Sequence, residues 1–342
     1  MRMPSPPAAL AALAALAGGL LLLPSAAAAA EPPAAASFTI TDPRIRESSG
    51  LAASRVHPGV YWTHNDSDDG PYVYAVDAAT GRTVARLTLT GIGTPRDVEA
   101  ISVGPDGRLY VGDVGDNLGG TWDHVWIYRF PEPGELRDAT VRAEQITVTY
   151  ADGPRNAEAL MVHPVTGRVY IASKDESKGG LYEGPERLVP GGSRNVFRRV
   201  AAVPWVTDGA FSPDGTRLTL RGYFTARTYG WRDGRPQGEG ERVDAPWQGQ
   251  AESVTYTADG RALMFGSEGA GSRVVAVPAA AAATGAPAAS AAPSAAPEPG
   301  APAAADPPAA ADGSFTKGAL VLAAGILIVV AAKRLFRRRA PK

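Results

Sequence analysis

Ser49, Glu99, Glu158, Asp208 and Glu252 stand at one equivalent place in five copies of a short pattern, and that recurrence makes them a candidate site. The copies run over residues 48–66, 97–113, 156–175, 207–221 and 250–268. Each places the polar residue at the head of an apolar run, then a turn built on Pro-Asp-Gly, Ala-Asp-Gly or His-Pro, then a second apolar run. Four carboxylates and a hydroxyl gathered in a narrow space must protonate, pair with cations or hold a metal ion. An all-oxygen set suits Ca²⁺ better than zinc or copper. The competing expectation is that these acids pair with backbone amides or nearby arginines.

A second polar set closes each copy. It comprises His64-Asn65-Asp66-Ser67, Asp113-Val114-Gly115-Asp116-Asn117, Ser173-Lys174-Asp175, Arg221 and Ser267-Glu268. Asp66, Asp113, Asp116 and Asn117 are the groups that could orient a water or a ligand, with glycine letting the backbone bend toward it. Arg46, Arg96 and Arg155 each precede their copy's axial residue by three positions. With Lys174 and Arg221 they form a candidate cationic collar for phosphate or carboxylate oxygens, or else a set of counter-charges for the acids.

Other chemistries find little footing. The chain has 4 histidines without paired metal-ligand spacing, no cysteine, and no G-x-S-x-G elbow. Its net charge of −1 gives no basic field for nucleic acid. Tryptophans 62, 122, 126, 205, 231 and 247 are expected to pack between structural units rather than form a sugar platform.

The elements that would position these residues are short β-strands. The five patterns read as hairpins. Further strand-like runs follow them at Val73–Asp77, Val84–Leu89, Val125–Phe130, Gln145–Tyr150, Gly180–Glu183, Phe197–Val203, Thr225–Trp231 and Glu241–Ala245. The fifth hairpin is followed by one such run, Arg273–Pro278, and Ser37–Thr41 near the start of the chain supplies the missing strand. Four-stranded units at intervals of about 50 residues, closed by the N-terminus, predict an all-β fold, a five-bladed β-propeller. Six blades is the alternative, and Gly134–Arg142 is expected to be a loop. In a propeller the heads of first strands and the tails of second strands meet at one mouth, so both polar sets converge there.

The axial series Ser, Glu, Glu, short polar residue, Glu resembles that of the calcium-activated nucleotidases, or apyrases. So do Ser49-Gly50-Leu51 with Asp66, and Glu99 with Leu109-Tyr110-Val111-Gly112. Asp208 departs from that family, which has Ser there, and Asn65-Asp66-Ser67-Asp68-Asp69-Gly70 replaces its Asp-Asp-Arg-Thr-Gly stretch. The chain is also similar to phytase-like and esterase-like propellers. The resemblance covers the five hairpins and implies a five-bladed fold with a central Ca²⁺.

The ends of the chain read as targeting segments. Residues 1–30 have the charged start, apolar run and alanine-rich end of a secretory signal peptide. Residues 36–278 are the globular part and 279–314 an Ala/Pro-rich stalk. Residues 315–333 read as one C-terminal transmembrane helix and 334–342 as a basic cytoplasmic tail, which places the propeller outside the cell. Two functions fit: a membrane-anchored module binding a protein, a glycan or a phosphorylated small molecule, or a Ca²⁺-dependent hydrolase of phosphate esters or anhydrides.

Overall fold

The computed structural model describes residues 35–280, apart from positions 68 and 176 and the side chain at 193. The expected signal peptide, membrane helix and tail, and nearly all of the stalk, lie outside these residues.

A two-residue strand opens the described chain, β1 (Phe38–Thr39). The first unit holds β2 (Ser48–Ala53), β3 (Val60–Asn65), β4 (Tyr72–Asp77) and β5 (Thr83–Thr90). The second holds β6 (Val98–Val103), β7 (Arg108–Asp113) and β8 (Val125–Pro131), an interposed β9 (Ala139–Arg142), and β10 (Glu144–Tyr150). The third runs β11 (Ala157–Val162), β12 (Val169–Ser173), β13 (Gly180–Glu183) and β14 (Gly191–Ala202). The fourth runs β15 (Asp208–Phe211), β16 (Arg217–Arg221), β17 (Ala226–Arg232) and β18 (Arg235–Val243). The fifth has β19 (Ser253–Tyr256), β20 (Ala262–Gly266) and β21 (Arg273–Pro278), completed by β1 pairing antiparallel to β21.

The innermost strands touch in a closed circuit, β2 to β6 to β11 to β15 to β19 and back to β2. Five clusters of buried side chains fill the five interfaces between consecutive units. Trp62, Leu109 and Phe130 sit between the first and second, Tyr182 and Phe197 between the second and third. Tyr170 and Phe211 lie between the third and fourth, Phe265 and Tyr256 between the fourth and fifth, and Ile40, Tyr74 and Met264 close the ring. This is the arrangement of a β-propeller with five blades.

Each hairpin of the repeat turns on a glycine with positive φ: Gly59 (78°), Gly107 (68°), Gly167 (69°), Gly215 (73°) and Gly260 (72°). Such a φ penalises any side chain, which is why the turn residue recurs. Inner strands are buried on both faces, as in β11, while β10 alternates and β18 is largely exposed.

Two outer-edge pairings go beyond the repeat. Gly134–Arg142 is not wholly a loop, because β9 pairs parallel to β5 of the first blade, Leu87 opposite Ala139. The first half of β14 pairs parallel to β10, joining the second and third blades into one eight-stranded sheet. Both cover edges that would otherwise be open to another chain.

Candidate functional site

Strand register puts the polar sets at one mouth. The heads of inner strands face the tails of second strands: Ser48 opposite Asn65, Val98 opposite Asp113, Ala157 opposite Ser173, Asp208 opposite Arg221, Ser253 opposite Gly266. In the first three blades the pairing register shifts at the axial residue itself, between Ser48 and Leu51, Val98 and Ala100, and Ala157 and Ala159. A bulge there re-aims the side chain of Ser49, Glu99 or Glu158. Asp208 pairs in register and Glu252 precedes its strand, so the five are not equivalent in direction.

All five are buried, at 1–3% exposure, and they divide into separate groups. Ser49 Oγ donates to Glu99 Oε2 at 2.9 Å. Glu99 in turn gathers with Asp66 and Asp97, one oxygen from each lying within 4.8 Å of the others. Asp97 Oδ2 accepts from Asn117 Nδ2 at 3.0 Å, and the Asp66 carbonyl accepts from Val98 N–H at 3.0 Å. Asp66 is half-buried, its Oδ1 is shielded from solvent, and the Asp97 carboxyl lies against its side chain. Burial, reinforced by the charge of Asp97, pushes the Asp66 carboxyl well above its usual range. Burial together with the charges of Asp66 and Glu158 does the same to Glu99. Three clustered carboxyls in this setting must share protons or hold a cation. Three carboxylate oxygens with a hydroxyl and an amide nearby fit a hard, oxygen-seeking ion such as Ca²⁺.

The remaining axial acids have other partners. Glu158 Oε2 pairs with Lys174 Nζ at 2.5 Å, and Lys174 also donates to Tyr223 Oη at 3.1 Å. Burial opposes the Lys174 charge, but Glu158 and Glu252 outweigh it and hold the ammonium protonated. Asp208 accepts from the backbone N–H of Gly209 at 2.7 Å and of Val254 at 2.8 Å. Glu252 Oε2 is buried and has no hydrogen-bond partner among the described residues.

Asp113 accepts from Arg96 N–H, Asp97 N–H and Tyr128 Oη, the last at 2.5 Å, so it shapes the loop that presents Asp97. Asp116 accepts from Trp122 N–H at 2.7 Å and from Thr121 Oγ1. Asn117 also accepts from Asn156 Nδ2 at 3.3 Å, tying the loop to the third blade.

The cations of the expected collar are largely spoken for. The Arg96 guanidinium lies between Trp122 and Trp126, at 4.0 and 3.8 Å from their ring centres, and donates to the His124 carbonyl. Arg155 stacks on Tyr182 at 4.2 Å and pairs with Asp152. Arg221 is buried and donates to the carbonyls of Ser253 and Gly266, each at 2.6 Å. Arg46 is exposed and donates to the Pro43 carbonyl. Lys178 and Arg199, absent from the sequence-based set, join Arg155, Lys174, Asp152 and Asp175 around a cavity of about 370 Å³ beside the mouth.

Asp97 was also missed, although a period-2 signal pointed to it. It precedes Glu99 by two residues, so at a strand head both side chains fall on one face. The tryptophans serve several roles. Trp62 packs between blades as expected, whereas Trp205 and Trp247 lie in loops at the mouth, preceding β15 and β19.

No protein-family model matches the chain, and no curated protein matches it. Among solved structures, the PQQ-bound aldose sugar dehydrogenase of Streptomyces coelicolor is similar at 14% identity and a TM-score of 0.41, over 72% of this chain and 98% of that one. A gluconolactonase of Xanthomonas campestris is similar at 17% identity and 0.42, over 71% and 79%. Hydrazine synthase of Kuenenia stuttgartiensis is similar at 12% identity and 0.37, over 64% and 61%. At such values none of these proteins bears on what this chain binds.

Proposed function

We propose that the chain is a β-propeller displayed outside the cell on a single C-terminal membrane span, and that its mouth is pinned by Ca²⁺ and binds a ligand or partner. The observation that carries this reading is the convergence of Asp66, Asp97 and Glu99, one oxygen of each within 4.8 Å of the others, where burial raises both Asp66 and Glu99. A divalent ion there would neutralise charge that burial makes costly and would tie the first blade to the second. The display role rests on the sequence of residues 1–30 and 315–333.

Hydrolysis of phosphate esters or anhydrides has less support. Asp113 and Asp116 spend their oxygens on loop hydrogen bonds, and Arg96 and Arg155 lie on aromatic faces. Thermal unfolding of the purified full chain in Ca²⁺, Mg²⁺ or chelator tests the reading. An ion that binds only the folded state raises the midpoint with its concentration. The expected result is a Ca²⁺-dependent rise in the wild type that is absent in the Asp66→Asn, Glu99→Gln double variant. Indifference of the wild type to every ion would refute the cation site.

A further inference from the structure

Four aromatic side chains form a continuous row at the mouth, contributed by the fourth and fifth blades. Trp205 meets Tyr223 edge-on at 5.1 Å between ring centres, Tyr223 meets Phe224 at 6.3 Å, and Phe224 lies beside Trp247 at 5.6 Å with a tilt of only 31°. The outer two are open to solvent, Phe224 at 48% and Trp247 at 72% exposure. The inner end is polar. Tyr223 Oη accepts from Lys174, which pairs with the axial Glu158, and burial with the nearby Glu252 carboxylate raises the pKa of the Tyr223 hydroxyl.

The row is rigidly mounted. Tyr223 and Phe224 sit at the tip of the tight loop joining β16 to β17, closed by Gly222 N–H donating to the Thr225 carbonyl at 2.8 Å. Gly222 is needed there, because a Cβ would come within 2.8 Å of the Trp205 carbonyl oxygen. Next to Trp247, Gln248 donates to the Arg273 carbonyl at 2.7 Å and accepts from Arg221 at 2.8 Å. Rings held this way are already placed for a ligand, so little ordering entropy is lost on binding.

We propose that this row is a carbohydrate subsite, in which pyranose rings stack on Trp247 and Phe224 and their hydroxyls reach Tyr223, Lys174 and Glu252. A sugar has an apolar C–H face and a hydrogen-bonding edge, and the row offers ring faces at its outer end and charged donors and acceptors at its inner end. Phe224 and Trp247, 5.6 Å apart and tilted by only 31°, are the pair that offers adjoining faces, at a spacing on the scale of one sugar ring. A strip one ring wide suits a linear glycan, whereas a stable protein partner covers about 800 Å² of each surface. The proposal deepens the reading of the chain as a binding module by naming its ligand class, and it does not require the cation.

Calorimetric titration of the full chain with maltohexaose, cellohexaose and chitohexaose tests it. Saturable binding of at least one hexasaccharide is expected, weakened tenfold or more by Trp247→Ala and by Phe224→Ala; both positions are exposed, so these variants should fold. The Asp66→Asn, Glu99→Gln double variant separates the two readings, because it should lose its response to Ca²⁺ whatever its affinity for the sugar. Failure of all three sugars to bind, or undiminished binding by both aromatic variants, would overturn the carbohydrate subsite and leave the Ca²⁺ result to stand or fall separately.

Discussion

Asp208, at the head of the fourth blade's inner strand, accepts a hydrogen bond from the Val254 N–H of the fifth blade at 2.8 Å while holding its own neighbour Gly209 at 2.7 Å. One side chain thus fixes two inner strands against each other. It does so although burial pushes its carboxyl well above the ordinary range, against those two N–H groups, which favour the charged form.

Replacing Asp208 by Ala leaves two buried N–H groups without acceptors, each costing about 1–3 kcal/mol. A loss of about 2–4 kcal/mol in urea unfolding is expected, less the desolvation cost the carboxylate itself carried. Asp208→Asn keeps one acceptor oxygen but turns an NH₂ toward the other donor, so it should fall between wild type and Ala. A change below about 0.5 kcal/mol for Ala would show that Asp208 does not clamp the blades.

The acids of the cation cluster make stability depend on pH in a definite direction. Asp66 and Glu99 have folded-state values raised by burial and by neighbouring charge, so the folded state binds protons more tightly than the unfolded chain. Their contribution is complete below the ordinary carboxylate value of about 4 and is lost as pH rises through the raised values. His64 acts in the opposite sense, but burial holds its imidazole at about 4, so above pH 7 it is neutral in both states. In chelator the thermal midpoint should therefore fall between pH 7 and pH 8.5. Added Ca²⁺ should flatten that fall, and Asp66→Asn with Glu99→Gln should lessen it, the remainder coming from Glu158, which burial raises to about 8, and from Asp208, also raised by burial. A midpoint rising over this interval in chelator would contradict the assignment.

Gly115 is where the loop bearing Asp116 passes over Asp97. A Cβ at Gly115 would lie 2.6 Å from Asp97 Oδ2 and 2.9 Å from its Cβ, too close for any relaxed contact. Asp97 is buried and held by Asn117, so it has little room to yield. Gly115→Ala should displace the Asp97 carboxylate and reduce the Ca²⁺-induced rise in melting temperature by more than half, with a loss of about 1–3 kcal/mol without the ion. An unchanged Ca²⁺ response would place the ion away from Asp97.

The blades were legible in the sequence because each hairpin carries a glycine whose φ tolerates no side chain, between strands apolar on both faces. The outer strands were not. β18 begins at Arg235, six residues before its expected start at Glu241, because Arg-Pro-Gln-Gly-Glu-Gly-Glu is held by pairing to β17 rather than by burial. β9 escaped notice for the same reason: Ala139-Thr-Val-Arg is half-exposed throughout and exists as a strand through β5.

The candidate site was legible as a list of acids but not as a grouping. Equivalent repeat positions imply a symmetric ring, yet bulges at Ser49, Glu99 and Glu158 aim those side chains differently from Asp208. Which acid meets which cation then depends on second-strand tails such as Lys174 and Arg221, and no repeat pattern records that.

Arg221 links the clamp between blades to the aromatic row. Its guanidinium is 1% exposed, spans the carbonyls of Ser253 and Gly266, and donates to Gln248 Oε1 at 2.8 Å. Burial draws its pKa down to about 10, with Glu252 and Asp208 supporting the charge, so it stays protonated at neutral pH. Lysine keeps the charge but has one nitrogen, and cannot reach two carbonyls and an amide in the planar fork that arginine provides. Arg221→Lys should cost about 2–4 kcal/mol in urea unfolding, through buried acceptors left unpaired. Because Gln248 then loses one of its anchors beside Trp247, the same variant should bind the hexasaccharide several-fold more weakly at a temperature where it remains folded. Destabilisation with unchanged sugar affinity would confine Arg221 to the blade interface and show that Trp247 is held by other contacts.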